Sequence, residues 1–464
     1  MAATSAAKGG VGLAVRREGA ASAWLERIDG REVARFRLAG GKHRGAIGPV
    51  EGEVLERIVS TALDLGVPVV GELATSGADV ACGLPSLWAW GRVARVLTDA
   101  SGAVPILLAV TGPCLAGPSL LLGLADHVVM TADAYAYLSG PQAVRGFTGV
   151  ETDATSLGGP DVHDRRSGLA SLVVTDESEA EDALADLLSY LPSNYLEEPP
   201  GLPCDDPVDR RCDEAASAIP DRSTASYDVR TVINDVLDAE SFLEVRRAAA
   251  PNVVTGYGRL AGAVVGVIAN QPNHKAGTLD IEASRKAARF VQGCDAFGVP
   301  LVTLVDSPGY HPGRDLEWRG MIRHGAQLVH AYACATVPRL CVVLRKAYGG
   351  AYIVMDSHGL GNDVCLAWPS AEVAVMGAAG AVAVLQRRKL AAIDDPEERA
   401  ARQAEMEADY AARFCTPDVA AERGYVDDVI DPADTRRLLA AALESLRTKR
   451  AAPPARPHHT NTPL

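Results

Sequence analysis

The sequence predicts an α/β protein made of two copies of one unit. Three observations carry that prediction. Gly45 and Gly277, each followed by a helical stretch, stand 232 residues apart, and so do Gly66-Val67-Pro68 and Gly298-Val299-Pro300. Both Gly-Val-Pro strings lead into a short apolar run that ends in small residues at Gly77 and Gly309. Further on, Val104-Pro105 leads to Ala116-Gly117 as Val337-Pro338 leads to Gly349-Gly350, at nearly the same offset. Self-similarity held at one offset marks a repeated structural unit, and a repeated turn at the end of a buried strand implies two sites.

The first half is expected over residues 22–195, after an N-terminal tail at 1–21. Residues 32–37 and 67–73 read as strands, separated by 54–65, whose apolar spacing suits a helix. Residues 104–110 and 127–131 read as further buried strands. Gly112-Pro113-Cys114-Leu115-Ala116-Gly117-Pro118 then lies between a strand and the apolar run 119–125. Pro118 fits the first turn of a helix, where a missing N–H costs little. Strands alternating with helices in this way belong to an α/β fold with short crossovers.

Residues 196–226 mix proline and charge without an apolar period and read as a linker. The second half is expected over 227–447, where 397–414 has the pattern of a charged amphipathic helix with a solvated or packing face. The proline-rich, His-His-containing stretch within 448–464 reads as a disordered tail.

At 464 residues the chain has length for two or three domains. Hydrophobic residues are 48% and aromatics 5%, so the core is expected to be built from Ala, Val, Leu and Gly. A formal charge of −14 argues against nucleic acid or an anionic membrane as a partner, because both need a basic surface. The 9 cysteines include no Cys-x-x-Cys pair, which excludes zinc-ribbon and thioredoxin-type readings and fits reduced thiols. No signal peptide and no apolar run of membrane-spanning length is evident, so a soluble cytoplasmic protein is expected.

In the second half, Asn270-Gln271-Pro272, Ala276-Gly277-Thr278-Leu279-Asp280-Ile281, the run from Lys286, and Leu301 through Asp306-Ser307-Pro308-Gly309 follow one another. Then come Ile322-Arg323-His324-Gly325-Ala326, Arg345-Lys346-Ala347-Tyr348-Gly349-Gly350-Ala351-Tyr352, Ala367-Trp368-Pro369 and Val375-Met376-Gly377-Ala378. Between the halves stand Leu191-Pro192-Ser193-Asn194, Glu197-Glu198-Pro199-Pro200, Ser241-Phe242-Leu243-Glu244 and Ala250-Pro251-Asn252-Val253-Val254. With these motifs in this order, the chain resembles the carboxyltransferase (β) subunit of biotin-dependent acyl-CoA carboxylases of the propionyl-CoA and acetyl-CoA type. The resemblance spans residues 40–445 and is strongest after residue 190.

That resemblance implies two tandem crotonase-like (spiral ββα) domains related by internal duplication. It implies a homo-oligomer, a hexamer built from dimers, or a hetero-oligomer with a paralogue. The first half would hold acyl-CoA, and the second half would receive carboxybiotin. No Met is followed by Lys and no Walker-type loop is present, so biotin is expected on a separate biotin carboxylase/biotin carrier subunit. Neither a metal, nucleic acid nor a membrane is called for. The implied reaction moves a carboxyl group from carboxybiotin to the α-carbon of acetyl-CoA or propionyl-CoA, giving malonyl-CoA or methylmalonyl-CoA.

Negative charge develops on the biotin ureido oxygen and on the thioester oxygen, and preorganised backbone N–H groups answer both. By resemblance, Gly350 and Ala351 hold the biotin carbonyl, and Ala116 and Gly117 hold the acyl-CoA carbonyl. Each turn also suits plain helix–sheet packing. Ile353 falls where the family varies with acyl-chain preference, next to Tyr352. Gly158, Gly159 and His163 match a segment near the thioester, and Lys42, Arg44 and Arg145 are candidates for the CoA phosphates.

The first half departs from the family pattern. Asp79 replaces an Arg, and Cys114-Leu115-Ala116-Gly117-Pro118 stands for Cys-Ala-Gly-Gly-Ala. Two alternatives follow: a specialised subunit whose N-terminal half has an altered acceptor or none, paired with an active paralogue, and a biotin-linked acyl-CoA decarboxylase.

Overall fold

Strands buried on both faces are stable only inside a sheet covered by helices, and residues Val69–Thr75 and Leu301–Ser307 have that character. The computed structural model describes residues 16–41, 43–220, 222–449, 451 and 461–463. Lys42 and most of the tails expected at 1–21 and 448–464 lie outside the described residues. The chain divides into two compact units. The first holds the residues up to Pro200 together with 246–249 and 296–298, and the second holds the remainder.

In the first unit, β1 (Arg16–Glu18), β2 (Ala21–Ile28), β3 (Arg31–Leu38), β4 (Val69–Thr75), β5 (Ile106–Leu115), β6 (His127–Thr131) and β8 (Leu172–Val174) form one sheet in the order β1-β2-β3-β4-β5-β6-β8. The short strand β7 (Tyr135–Tyr137) pairs with the far end of β5. The second unit repeats this strand for strand. It comprises β9 (Leu243–Glu244), β10 (Val253–Leu260), β11 (Ala263–Asn270), β12 (Leu301–Ser307), β13 (Arg339–Tyr348), β14 (Val364–Ala367) and β16 (Asp428–Val429), ordered β9-β10-β11-β12-β13-β14-β16. Here β15 (Glu372–Ala374) pairs with β13. β1, β2 and β3 pair antiparallel, as do β9, β10 and β11, and the pairings from β3 to β4 and from β11 to β12 onward are parallel.

The duplication read from the sequence is therefore a duplication of structure. It holds at single residues. Gly45 (φ 67°) and Gly277 (φ 72°) make the same left-handed turn, and a Cβ on either would lie 2.0 Å from Ala74 O or 2.5 Å from Asp306 O. Only glycine fits such a conformation at such a distance. The parallel pairing of β4 with β5 shifts register between Leu73 and Thr75, and that of β12 with β13 shifts between Val305 and Ser307.

The helix Pro49–Leu65 starts with Pro49 at its first position, and Glu51 accepts hydrogen bonds from the N–H of Gly48 (3.1 Å) and of Ala20 (3.0 Å). Val54, Leu55, Ile58, Val59 and Ala62 recur at helical spacing and are buried.

Three expectations need correction. Residues 16–18, placed in the tail, pair as β1, and Ala21 opens β2. β5 does not stop before Gly112 but runs on to Leu115, because β7 gives Pro113, Cys114 and Leu115 a neighbour. The run 119–125 is largely a 3-10 helix, Gly117–Leu124.

The segment 201–226, polar in composition, is part of the second unit, with Cys212 and Ala215 fully buried. Its anchor is Arg436, itself fully buried on the helix Thr435–Leu446. This guanidinium donates to Pro207 O (3.0 Å), Val236 O (3.0 Å) and Asp238 Oδ1 (2.7 Å). Residues 397–414 fall in the helix Pro396–Phe414, as expected, with no buried residue of its own.

Candidate active site

In each unit a long strand delivers the chain into a turn and a short helix. In the second unit, β13 leads to Gly349 (φ 58°) and the helix Gly349–Val354. Gly350 and Ala351 are its second and third residues, where N–H groups have no partner within the helix. Ala351 is fully buried, whereas Ile353 is 41% exposed. Tyr352 Oη donates to Tyr425 O at 3.1 Å. A Cβ on Gly350 would make ordinary contact with the Tyr310 ring at 3.5 Å. Burial pushes the Tyr310 phenol up to about 12, so it stays a neutral hydroxyl at physiological pH.

Beneath the turn lies a support whose role the motif alone does not disclose. Arg345 Nε donates to Asp306 Oδ2 at 3.0 Å, and the Lys346 N–H donates to Asp306 Oδ1 at 3.1 Å. Arg345 also donates to Ala225 O (2.8 Å) and lies over the Tyr227 ring. Asn270 completes it, accepting from the Asp306 N–H at 3.2 Å and donating to Gly277 O at 3.1 Å. Burial raises the Asp306 carboxyl above the usual aspartate range, and the Arg345 charge acts in the opposite direction. The signal in sequence was the pair of charges on strands otherwise buried on both faces. A buried charge of that kind needs a partner.

In the first unit, β5 leads to Ala116 and the 3-10 helix Gly117–Leu124. Ala116 has φ 58° and ψ −150°, a conformation that favours glycine. Its N–H donates to Tyr137 O at 2.9 Å, so that group is already used. The Ser119 N–H is used as well, donating to Ala116 O at 3.0 Å. Gly117 packs on Trp90, whose buried indole nitrogen has no hydrogen-bond partner among the described residues.

β7 gathers several of the nominated residues. Beside the Ala116 bond on Tyr137, His163 Nε2 lies 2.8 Å from Ala136 O, with its Nδ1 2.7 Å from Ser167 Oγ. A Cβ on Gly158 would lie 2.1 Å from that same Ala136 O, and one on Gly159 would lie 2.6 Å from Thr155 O. Ala116, Gly158 and His163 thus meet on two consecutive carbonyls. Arg145 is held differently: it sits on the exposed helix Pro141–Thr148 and pairs with Glu151 at 2.9 Å. Arg44 is exposed, with φ 54°.

This duplicated strand–turn–helix unit can be set beside known proteins. The family model for the carboxyl transferase domain matches residues 20–461. The chain belongs to the carboxyl transferase family. It is 45% identical over 439 residues to the propionyl-CoA carboxylase carboxyltransferase subunit of Haloferax mediterranei, covering 94% of this chain and 84% of that one. It is 44% identical over 447 residues to the propionyl-CoA carboxylase beta chain of Saccharopolyspora erythraea, covering 94% and 82%.

A solved structure of the transcarboxylase 12S hexamer, with methylmalonyl-CoA and methylmalonic acid bound, superposes with a TM-score of 0.93 at 41% identity. It covers 96% of this chain and 85% of that one. The resemblance read from the motifs is borne out, as are the tandem crotonase-like fold and the enzyme class: a carboxyltransferase component of the biotin-dependent acyl-CoA carboxylases. Among the described residues no helix is long and apolar enough to cross a membrane.

Proposed function

We propose that this chain transfers the carboxyl group of carboxybiotin, brought as a co-substrate on a separate carrier protein, to the α-carbon of acetyl-CoA or propionyl-CoA. In that reaction the C–N bond to the carboxyl group breaks, the ureido group takes the α-proton, and the α-carbon forms the new C–C bond. The observation that carries the reading is the second unit's turn, with two adjacent first-turn N–H groups at Gly350 and Ala351 on a strand fixed by Asp306 and Arg345. Donors held rigidly before charge appears cost no reorganisation when it does.

The roles follow from that reading. Gly350 and Ala351 donate to the ureido oxygen, with Tyr352 and Ile353 beside them, Ile353 at the position tied to acyl-chain preference. On the acyl side the turn at Ala116 and Gly117 receives the thioester, with the Gly117 N–H as donor. Gly158, Gly159 and His163 border the thioester, and Lys42, Arg44 and Arg145 meet the CoA phosphates. The working form is a cytoplasmic hexamer built from dimers together with a biotin carboxylase/carrier subunit. Purified protein, a biotinylated carboxylase subunit, ATP and labelled bicarbonate are expected to label acetyl-CoA or propionyl-CoA. Labelling of neither would overturn the reading.

A further inference from the structure

The two turns match residue by residue, and one of them lacks a donor. Register fixes the correspondence. Pro113, Cys114 and Leu115 pair with 135–137, and Lys346, Ala347 and Tyr348 pair with 372–374. The following residues are Ala116 and Gly349, both at φ 58°. One step on, Gly117 corresponds to Gly350. The next step sets Pro118 against Ala351. A proline has no N–H.

In the first unit, then, the Ala116 N–H is given to Tyr137 O, Pro118 offers none, and the Ser119 N–H is given to Ala116 O. Gly117 is left as the turn's one available backbone donor. Its counterpart in the second unit retains both Gly350 and Ala351.

Resting on the carboxyltransferase reading above, we infer that Pro118 makes the acceptor side a one-donor oxyanion site and thereby limits the rate of carboxyl transfer to the acyl group. The thioester oxygen gains negative charge as the α-proton leaves, and a single N–H answers it where two answer the ureido oxygen. Ground-state binding of acyl-CoA, which rests on the nucleotide and pantetheine, is little affected. The effect belongs to turnover.

Pro118→Ala restores an N–H at the position of Ala351. Loss of one such donor elsewhere costs about 10²–10³ in rate, so kcat for acetyl-CoA or propionyl-CoA is expected to rise on the order of 10²-fold with KM within about threefold. Pro118→Gly is the second variant, and thermal melts report whether each folds. Ala351→Pro makes the reverse change and is expected to lower kcat on the order of 10²-fold with acyl-CoA binding, measured by calorimetry, unchanged.

A wild-type protein that turns over while both Pro118 variants stay within twofold of it overturns the inference and leaves the functional reading intact. A gain in the variants over a slow but measurable wild type supports it. No labelling by wild type or variants, with a carrier subunit competent on its own partner, overturns the functional reading itself.

Discussion

Ala116 shows how much one methyl group can decide. Its backbone lies at φ 58° and ψ −150°, where a side chain costs on the order of 1–3 kcal/mol, and the equivalent residue of the second unit is Gly349. Glycine also loses more freedom on folding, by about 0.5–1 kcal/mol relative to alanine. Ala116→Gly is therefore expected to stabilise the protein by about 1 kcal/mol, read as a higher urea midpoint at constant slope. A lower midpoint would show that no strain is stored there.

Gly117→Ala has the opposite sign. Its Cβ would lie 2.9 Å from the Trp90 ring, and overpacking of this kind costs about 1–3 kcal/mol. At this scale the sequence was legible where chemistry permits a single residue, as at Gly45 and Gly277. At Pro118 the departure was legible but its consequence was not, because only the structure shows that the neighbouring Ala116 and Ser119 N–H groups are already used.

The strand–turn–helix element depends on charges that periodicity does not reveal. Asp306 and Arg345 are both buried, and each is the other's counter-charge. Removing one partner leaves an uncompensated charge, at a cost of about 3–5 kcal/mol. Arg345→Ala is expected to lose that much in denaturant titrations and to lose carboxyl transfer with it. A change below 1 kcal/mol would contradict the support assigned to the pair.

The segment 201–226 teaches a similar lesson. Proline and charge read as a linker, yet those charges are matched by Arg210 and by Arg436 from more than 200 residues downstream. No local pattern carries that information.

Its pH dependence has a definite sign. The hydrogen bond from Arg210, then the charge of Arg436, hold the Asp206 carboxyl below its ordinary value. A depressed carboxylate contributes stability above its unfolded pKa of about 3.9 and loses it as pH falls through the folded value. Asp206→Asn is expected to flatten the acid limb of stability below pH 4 in urea titrations run from pH 7 down to 3. An unchanged limb would show that Asp206 contributes nothing there.

For the whole molecule, the α/β class and the two copies could be read from Gly-Val-Pro strings because glycine turns and buried strands are local chemistry. The extension of β5 and the inclusion of 201–226 could not, because each depends on a neighbour distant in sequence. Function was legible in the second half, where the motifs run unbroken, and less so in the first, where Asp79, Ala116 and Pro118 depart from the pattern.

The proposed assembly predicts a particle near six times the monomer mass in sedimentation analysis. A monomer at micromolar concentration would contradict it. The most direct test of the central claim follows labelled bicarbonate through a biotinylated carboxylase subunit, ATP and this protein into acyl-CoA. Labelled malonyl-CoA or methylmalonyl-CoA that depends on both proteins and on biotin is expected. Absence of label in every acyl-CoA, with a carrier subunit proven competent, would contradict it.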